Sequence, residues 1–240
     1  MAKILPSTKM VESEKKSYTF LWPILVILIF VAVGVGLALS LNKSSSSSSA
    51  SLNGQEVYGN TEIKYYGNAT DYSVDFRNAL DRINRMVTIP ANLKIDLRTN
   101  YQQSSTIASA IMNNNSDIYG GGTIYVNTYR SAPNAGYDDV FVHEIFHIMG
   151  YGSHSSWSNQ GGVLPTSFKN ATAKYHELGG SGNVPLYGTG HLDEKTFGTE
   201  MMTPSIGTEN ALQISIVSLG VLQDLGWTVD YDRADAYSLP

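Results

Sequence analysis

Three regimes of hydrophobic patterning follow one another along the chain. From Phe20 to Leu41 the residues are apolar or small and carry no charge. About 20 such residues cross a bilayer as a helix, so residues 19–41 are predicted to form a transmembrane segment. Tyr18 and Trp22 stand where interfacial aromatics belong, and Pro23 falls in the first turn, whose N–H groups lack helical partners anyway. Ala38-Leu39-Ser40 offers the small residues of a signal-peptidase site, but the run is longer than a cleaved signal's apolar core. Lys3, Lys9, Lys15 and Lys16 precede the run and Lys43 alone follows closely. The positive-inside rule therefore keeps residues 1–18 cytoplasmic and puts the bulk of the chain outside a cell, in a lumen or on a virion; cleavage would secrete it.

The second regime has no apolar residues to bury. Ser44 to Ser49 is unbroken serine, and residues 42–52 read as a flexible tether. Periodic patterning begins after it, in a single domain over residues 53–240. Phe76, Leu80 and Ile83 recur at helical spacing between Tyr72 and Val87, with Asp71 placed to cap. Leu93 to Arg98 alternates strictly and predicts a half-buried strand. Ser104 to Met112 is read as a short helix, and Thr123 to Asn127 as a second strand after Gly120-Gly121-Gly122, a candidate sheet edge. A helix starting at Asp138 or Asp139 is stopped by Gly150 and Gly152. Residues 153 to 190, rich in Gly, Ser and Asn, read as an irregular excursion. A last helix is predicted from Glu209 to Leu225, with Leu212, Ile216, Leu219 and Leu222 inward and Gly226 as its stop. Asp232, Asp235 and Tyr237 read as a solvated tail.

Composition narrows the function classes. The net charge of −5 comes without a basic patch, which argues against a nucleic-acid partner. The chain has no cysteine, which excludes disulfides, thiolate metal sites and a cysteine nucleophile. Asn68-Ala69-Thr70, Asn114-Asn115-Ser116 and Asn170-Ala171-Thr172 are acceptor sequons, in keeping with export but common in Asn- and Ser-rich sequence.

The chemistry concentrates in His143-Glu144-Ile145-Phe146-His147-Ile148-Met149-Gly150. Two histidines four apart on a helix project from one face, so both rings reach one Zn²⁺, with the intervening glutamate close to a water on that ion. Such a water is acidic enough to act as a nucleophile near neutral pH. The pattern predicts a metallopeptidase acting on protein or peptide, with Glu144 as general base.

A catalytic zinc takes a third protein ligand and keeps one position open. The short metzincin pattern would put that ligand at Ser153, one residue before His154. His154, His176 and His191 are the remaining histidines; Glu177 and Glu200 are candidates if the site were thermolysin-like. Spacing alone does not choose among them.

Downstream motifs add to this. Gly188-Thr189-Gly190-His191-Leu192-Asp193-Glu194 is followed by Glu200-Met201-Met202-Thr203-Pro204 and by Leu222-Gln223-Asp224-Leu225-Gly226-Trp227. Together with the helix motif, these resemble the leishmanolysin family of metzincin metallopeptidases, over roughly residues 120–240 and more diffusely from 55 to 119. That family inserts a segment before its third histidine, then carries a His-Trp pair, a Glu-Leu-Met turn and an Asp-Leu-Gly-aromatic helix end. The resemblance implies His143, His147 and His191 as ligands of one Zn²⁺, Glu144 as base and Met202 as the methionine of the turn below the metal. It implies an α+β metzincin-like fold with a small mixed sheet, an active-site helix and a C-terminal helical subdomain. Leu192 stands in place of the usual Trp, Met201 in place of Leu, and the family's cysteines are missing, so the chain looks like a minimal, disulfide-free relative. An inactive zinc-binding adhesion or structural module is the competing expectation, although such a module has no need for Glu144.

Overall fold

The computed structural model describes residues 50–90, 92–132, 136–157, 161–206 and 211–240. The segments predicted as a cytoplasmic tail and a transmembrane helix, and most of the predicted tether, lie outside these residues. Among the described residues, no helix is long and apolar enough to cross a membrane.

The domain is mixed α+β. It opens with strands β1 (Leu52–Tyr58) and β2 (Thr61–Tyr66), a 3₁₀ turn (Gly67–Tyr72) and helix α1 (Ser73–Met86). Short β3 (Val87–Thr88) leads to β4 (Leu93–Asn100), β5 (Ala108–Met112), β6 (Gly122–Asn127) and helix α2 (Tyr137–Ile148). The C-terminal half comprises α3 (Lys169–Glu177), β7 (Leu186–Tyr187), β8 (His191–Leu192), α4 (Glu194–Phe197), α5 (Ile216–Leu225) and β9 (Thr228–Val229).

Five strands form one sheet in the order β1-β2-β4-β6-β5. The inner pairs β2–β4 and β4–β6 are parallel, and β1 and β5 close the edges antiparallel. Burial alternates along β2 and β4, so one sheet face is covered and the other half-exposed. Ile63, Ile95, Leu97, Ile124 and Val126 form the covered face, in one core with Phe76, Leu80 and Ile83 of α1 and Phe141 and Ile145 of α2. The two helices pack on each other, and α2 also touches β5 and β6.

Several expectations need correction. Asp71 does not cap α1: it lies in the 3₁₀ turn, and the cap position is Tyr72, with no side-chain bond. The segment from Ala108 to Met112 is a strand, not a helix; pairing with β6 outweighs the helix propensity of its Ala and Met residues. As a result β6 is an inner strand and β5 is the edge. The excursion after residue 153 contains α3, packed on α5. The last helix starts only at Ile216, because the Ser215 side chain accepts from Val217 N–H and Ser218 N–H and fixes the start there. Leu212, Leu219 and Leu222 are buried as expected, while Ile216 is half-buried. The tail is solvated only in part: Asp232 is exposed, but the Asp235 carboxylate accepts from Arg82 and from Ile214 N–H, and Tyr237 Oη donates to the Phe197 carbonyl.

Candidate metal centre

Helix α2 is buried almost all round, from Asp139 to Ile148. A helix so placed has no solvated face, so its polar side chains need partners inside the protein. Asp139 has them: its carboxylate takes the Arg82 guanidinium and Leu212 N–H. Burial still pushes its pKa up, with Leu212 N–H and Arg82 opposing. The remaining polar residues of the helix interior are His143, Glu144 and His147.

The two histidines are anchored at the back of their rings. His143 Nδ1–H donates to the Met201 carbonyl at 2.7 Å, and His147 Nδ1–H donates to the Tyr151 carbonyl at 2.7 Å. These bonds set the tautomer, leaving Nε2 of each ring as a lone pair. His191 joins them from β8, and all three rings are buried. Nε2 of His143 lies 3.0 Å from that of His147 and 3.2 Å from that of His191. For the first pair, lone pair faces lone pair, so the close approach is not a hydrogen bond. Burial pushes the His143 pKa down to about 4. His147 and His191 are held well below the ordinary value, by burial first and then by their histidine neighbours.

Neutral imidazoles whose ring nitrogens converge in this way suit a cation. Tetrahedral N-donor sites with metal–nitrogen bonds of 2.0–2.1 Å separate their nitrogens by about 3.3 Å. The observed spacings are of that size, so His143, His147 and His191 lie close enough to bind one metal ion. Glu144 follows His143 on the same helix and is fully buried, yet neither oxygen meets a donor among the described residues. Burial alone pushes its pKa up to about 8. A buried carboxylate with no partner among the described residues costs stability.

Residue 191 arrives here through a close backbone crossing. Gly152, with φ of +70°, ends the turn after α2, and a Cβ on it would come within 2.5 Å of Gly190 Cα. Only glycine permits that approach. On its other side, Leu192 N–H donates to the Met202 carbonyl at 2.9 Å. The Met201–Met202 turn therefore holds His143 through one carbonyl and the His191 strand through the next. Met202 itself is fully buried, and its backbone N–H and carbonyl bond to Glu200 and to Leu192 N–H.

The competing ligands lie elsewhere. His154 bonds to Ser156 in the loop after α2. His176 is exposed on α3 and bonds to the Gly182 carbonyl. Glu177 is exposed and pairs with Lys174. Glu200 is fully buried, but its oxygens accept from Met202 N–H, Ser215 N–H and Ser215 Oγ–H, behind the ligands rather than among them. Sequence reasoning did not find the carbonyls of Met201 and Tyr151, which no residue type announces. Nor did it find the partners of Asp235, whose type alone suggested solvent. A cavity of about 340 Å³ lies against Gly152, His154, Trp157 and Thr189, two residues from His191. No family model matches this chain, and comparison with curated proteins and with solved structures likewise finds no match.

Proposed function

We propose that this chain is a membrane-anchored zinc metalloendopeptidase of metzincin type, akin to the leishmanolysins. One observation carries the reading: a buried glutamate without a partner among the described residues follows a histidine whose Nε2 converges with two others. The three-nitrogen donor set, lacking thiolate and carboxylate, suits Zn²⁺. The anchor rests on the uncharged run from Phe20 to Leu41.

Zn²⁺ bound there would supply a Lewis acid and bring the pKa of a water to about 7. Glu144 takes the proton from the attacking water and delivers it to the leaving amine. The Met201 and Tyr151 carbonyls keep His143 and His147 in the tautomer that ligation needs. An extended substrate pairs with the β5 edge by main-chain hydrogen bonds, and the cavity beside Thr189 takes one of its side chains. His191, at 6% exposure the most open of the three ligands, marks the side of approach.

The test is Glu144→Gln. Zinc content should stay at one ion per chain while cleavage of a generic protein substrate falls by about 10²–10⁴-fold. Chelator should abolish cleavage by the unaltered protein. Peptidase activity surviving in the variant would remove Glu144 from the mechanism, and a zinc-loaded unaltered protein that cleaves nothing would favour the inactive module.

A further inference from the structure

Glu200 has no role in the reading above, yet it is fully buried and bonded on both oxygens. Oε2 accepts Met202 N–H at 2.6 Å, and Oε1 accepts Ser215 Oγ–H at 2.8 Å and Ser215 N–H at 3.2 Å. The Met202 N–H belongs to the same peptide group as the Met201 carbonyl, which accepts His143 Nδ1–H at 2.7 Å. Carboxylate, peptide and imidazole thus form one hydrogen-bonded chain ending at a ligand nitrogen. A peptide whose N–H donates to a carboxylate is polarised, so its carbonyl becomes a stronger acceptor. A ring that donates more strongly through Nδ1 is a more basic ligand at Nε2. Direct carboxylate–histidine contacts act this way at metal sites; here one peptide group is interposed.

We propose that Glu200 is a positioning residue of the metal centre, acting through the Met201–Met202 peptide to orient His143 and strengthen its Nε2 as a ligand. This rests on the metal-site reading above. The same carboxylate steadies the His191 side, because the peptide it holds is followed by the Met202 carbonyl that binds Leu192 N–H. His147 provides the internal comparison: its Nδ1–H also meets a carbonyl at 2.7 Å, that of Tyr151, which lies outside the Glu200–Met202 link.

The experiment uses the full chain in detergent, loaded with Zn²⁺ and labelled with ¹⁵N at histidine. The Nδ1–H proton of His143 should resonate downfield of that of His147. In Glu200→Gln the His143 proton should move upfield while that of His147 stays, and zinc affinity measured by chelator competition should drop about 10–100-fold. Equal Nδ1–H shifts in the unaltered protein overturn the proposal, and that comparison decides the matter even if the variant does not fold. A folded variant with unchanged shift and affinity overturns it too. If the unaltered chain holds no zinc, the metal-site reading falls and the relay with it; if it holds zinc but the two protons coincide, the relay alone falls.

Discussion

Glu144 and Glu200 are both wholly removed from solvent, and burial pushes the pKa of each upward. Their surroundings are opposite. Glu200 receives three donors from Met202 and Ser215, whereas Glu144 receives none among the described residues. A buried carboxylate surrounded by donors holds backbone in place; one left bare costs stability. The two sit on opposite sides of the histidine cluster in chemical terms. Glu200 reaches His143 through its Nδ1, while Glu144 belongs to the helix that presents the Nε2 atoms.

Replacing each carboxylate by leucine puts this contrast to its hardest test, because the two effects should have opposite signs. Glu200→Leu strands Met202 N–H, Ser215 N–H and Ser215 Oγ–H, and should cost about 3–5 kcal/mol of unfolding free energy. Glu144→Leu removes an unsatisfied polar group and should stabilise the metal-free protein by about 1–3 kcal/mol while abolishing hydrolysis. Urea unfolding in the presence of chelator measures both. A loss of stability in both variants would mean that Glu144 has a structural partner.

The stabilisation by Glu144→Leu should also depend on pH. The native pKa of Glu144 lies at about 8 against an ordinary 4.5. Between these values the native state keeps a proton that the unfolded state has lost, so this group's contribution to stability falls as pH rises. The leucine variant lacks that loss. Its advantage should therefore be small near pH 4.5, grow through neutrality and level off above pH 8. An advantage constant from pH 5 to 8 would show that Glu144 titrates normally.

How much of this was legible depended on whether the signal was local. The helix bearing His143, Glu144 and His147 was plain, because ligand spacing and helical period coincide in one turn. The alternation of Leu93 to Arg98 likewise gave β4. His191 was not reachable by periodicity: it comes from a two-residue strand 44 positions after His147, brought in by the Gly152–Gly190 crossing. Only the resemblance singled it out; the structure brings its ring close to those of His143 and His147. The strand β5 was misread because Ala108, Ala110 and Met112 favour helices locally, and pairing across the sheet is a non-local fact. Glu200 was noticed for the right chemistry in the wrong place: a carboxylate near a metal motif suggests a ligand, and which donors surround it depends on Ser215, fifteen residues on.

Ser215 offers the finest test of the contrast, since removing its hydroxyl takes Glu200 one step towards the condition of Glu144. That hydroxyl donates to Glu200 Oε1, and its oxygen accepts from Val217 N–H and Ser218 N–H at the start of α5. Ser215→Ala should cost about 1–2 kcal/mol, as the loss of a helix cap does. Glu200 would keep Met202 N–H and Ser215 N–H, so the peptide behind His143 stays held and zinc affinity should change less than in Glu200→Gln. A double-mutant cycle separates the hydroxyl's two duties. If the cap alone matters, Ser215→Ala costs the same with Glu200 or Gln at position 200; if the bond to the carboxylate contributes, the cost is smaller beside Gln. Full additivity in urea unfolding would reduce Ser215 to a helix cap and leave the Met201–Met202 turn held by Glu200 through a single peptide N–H.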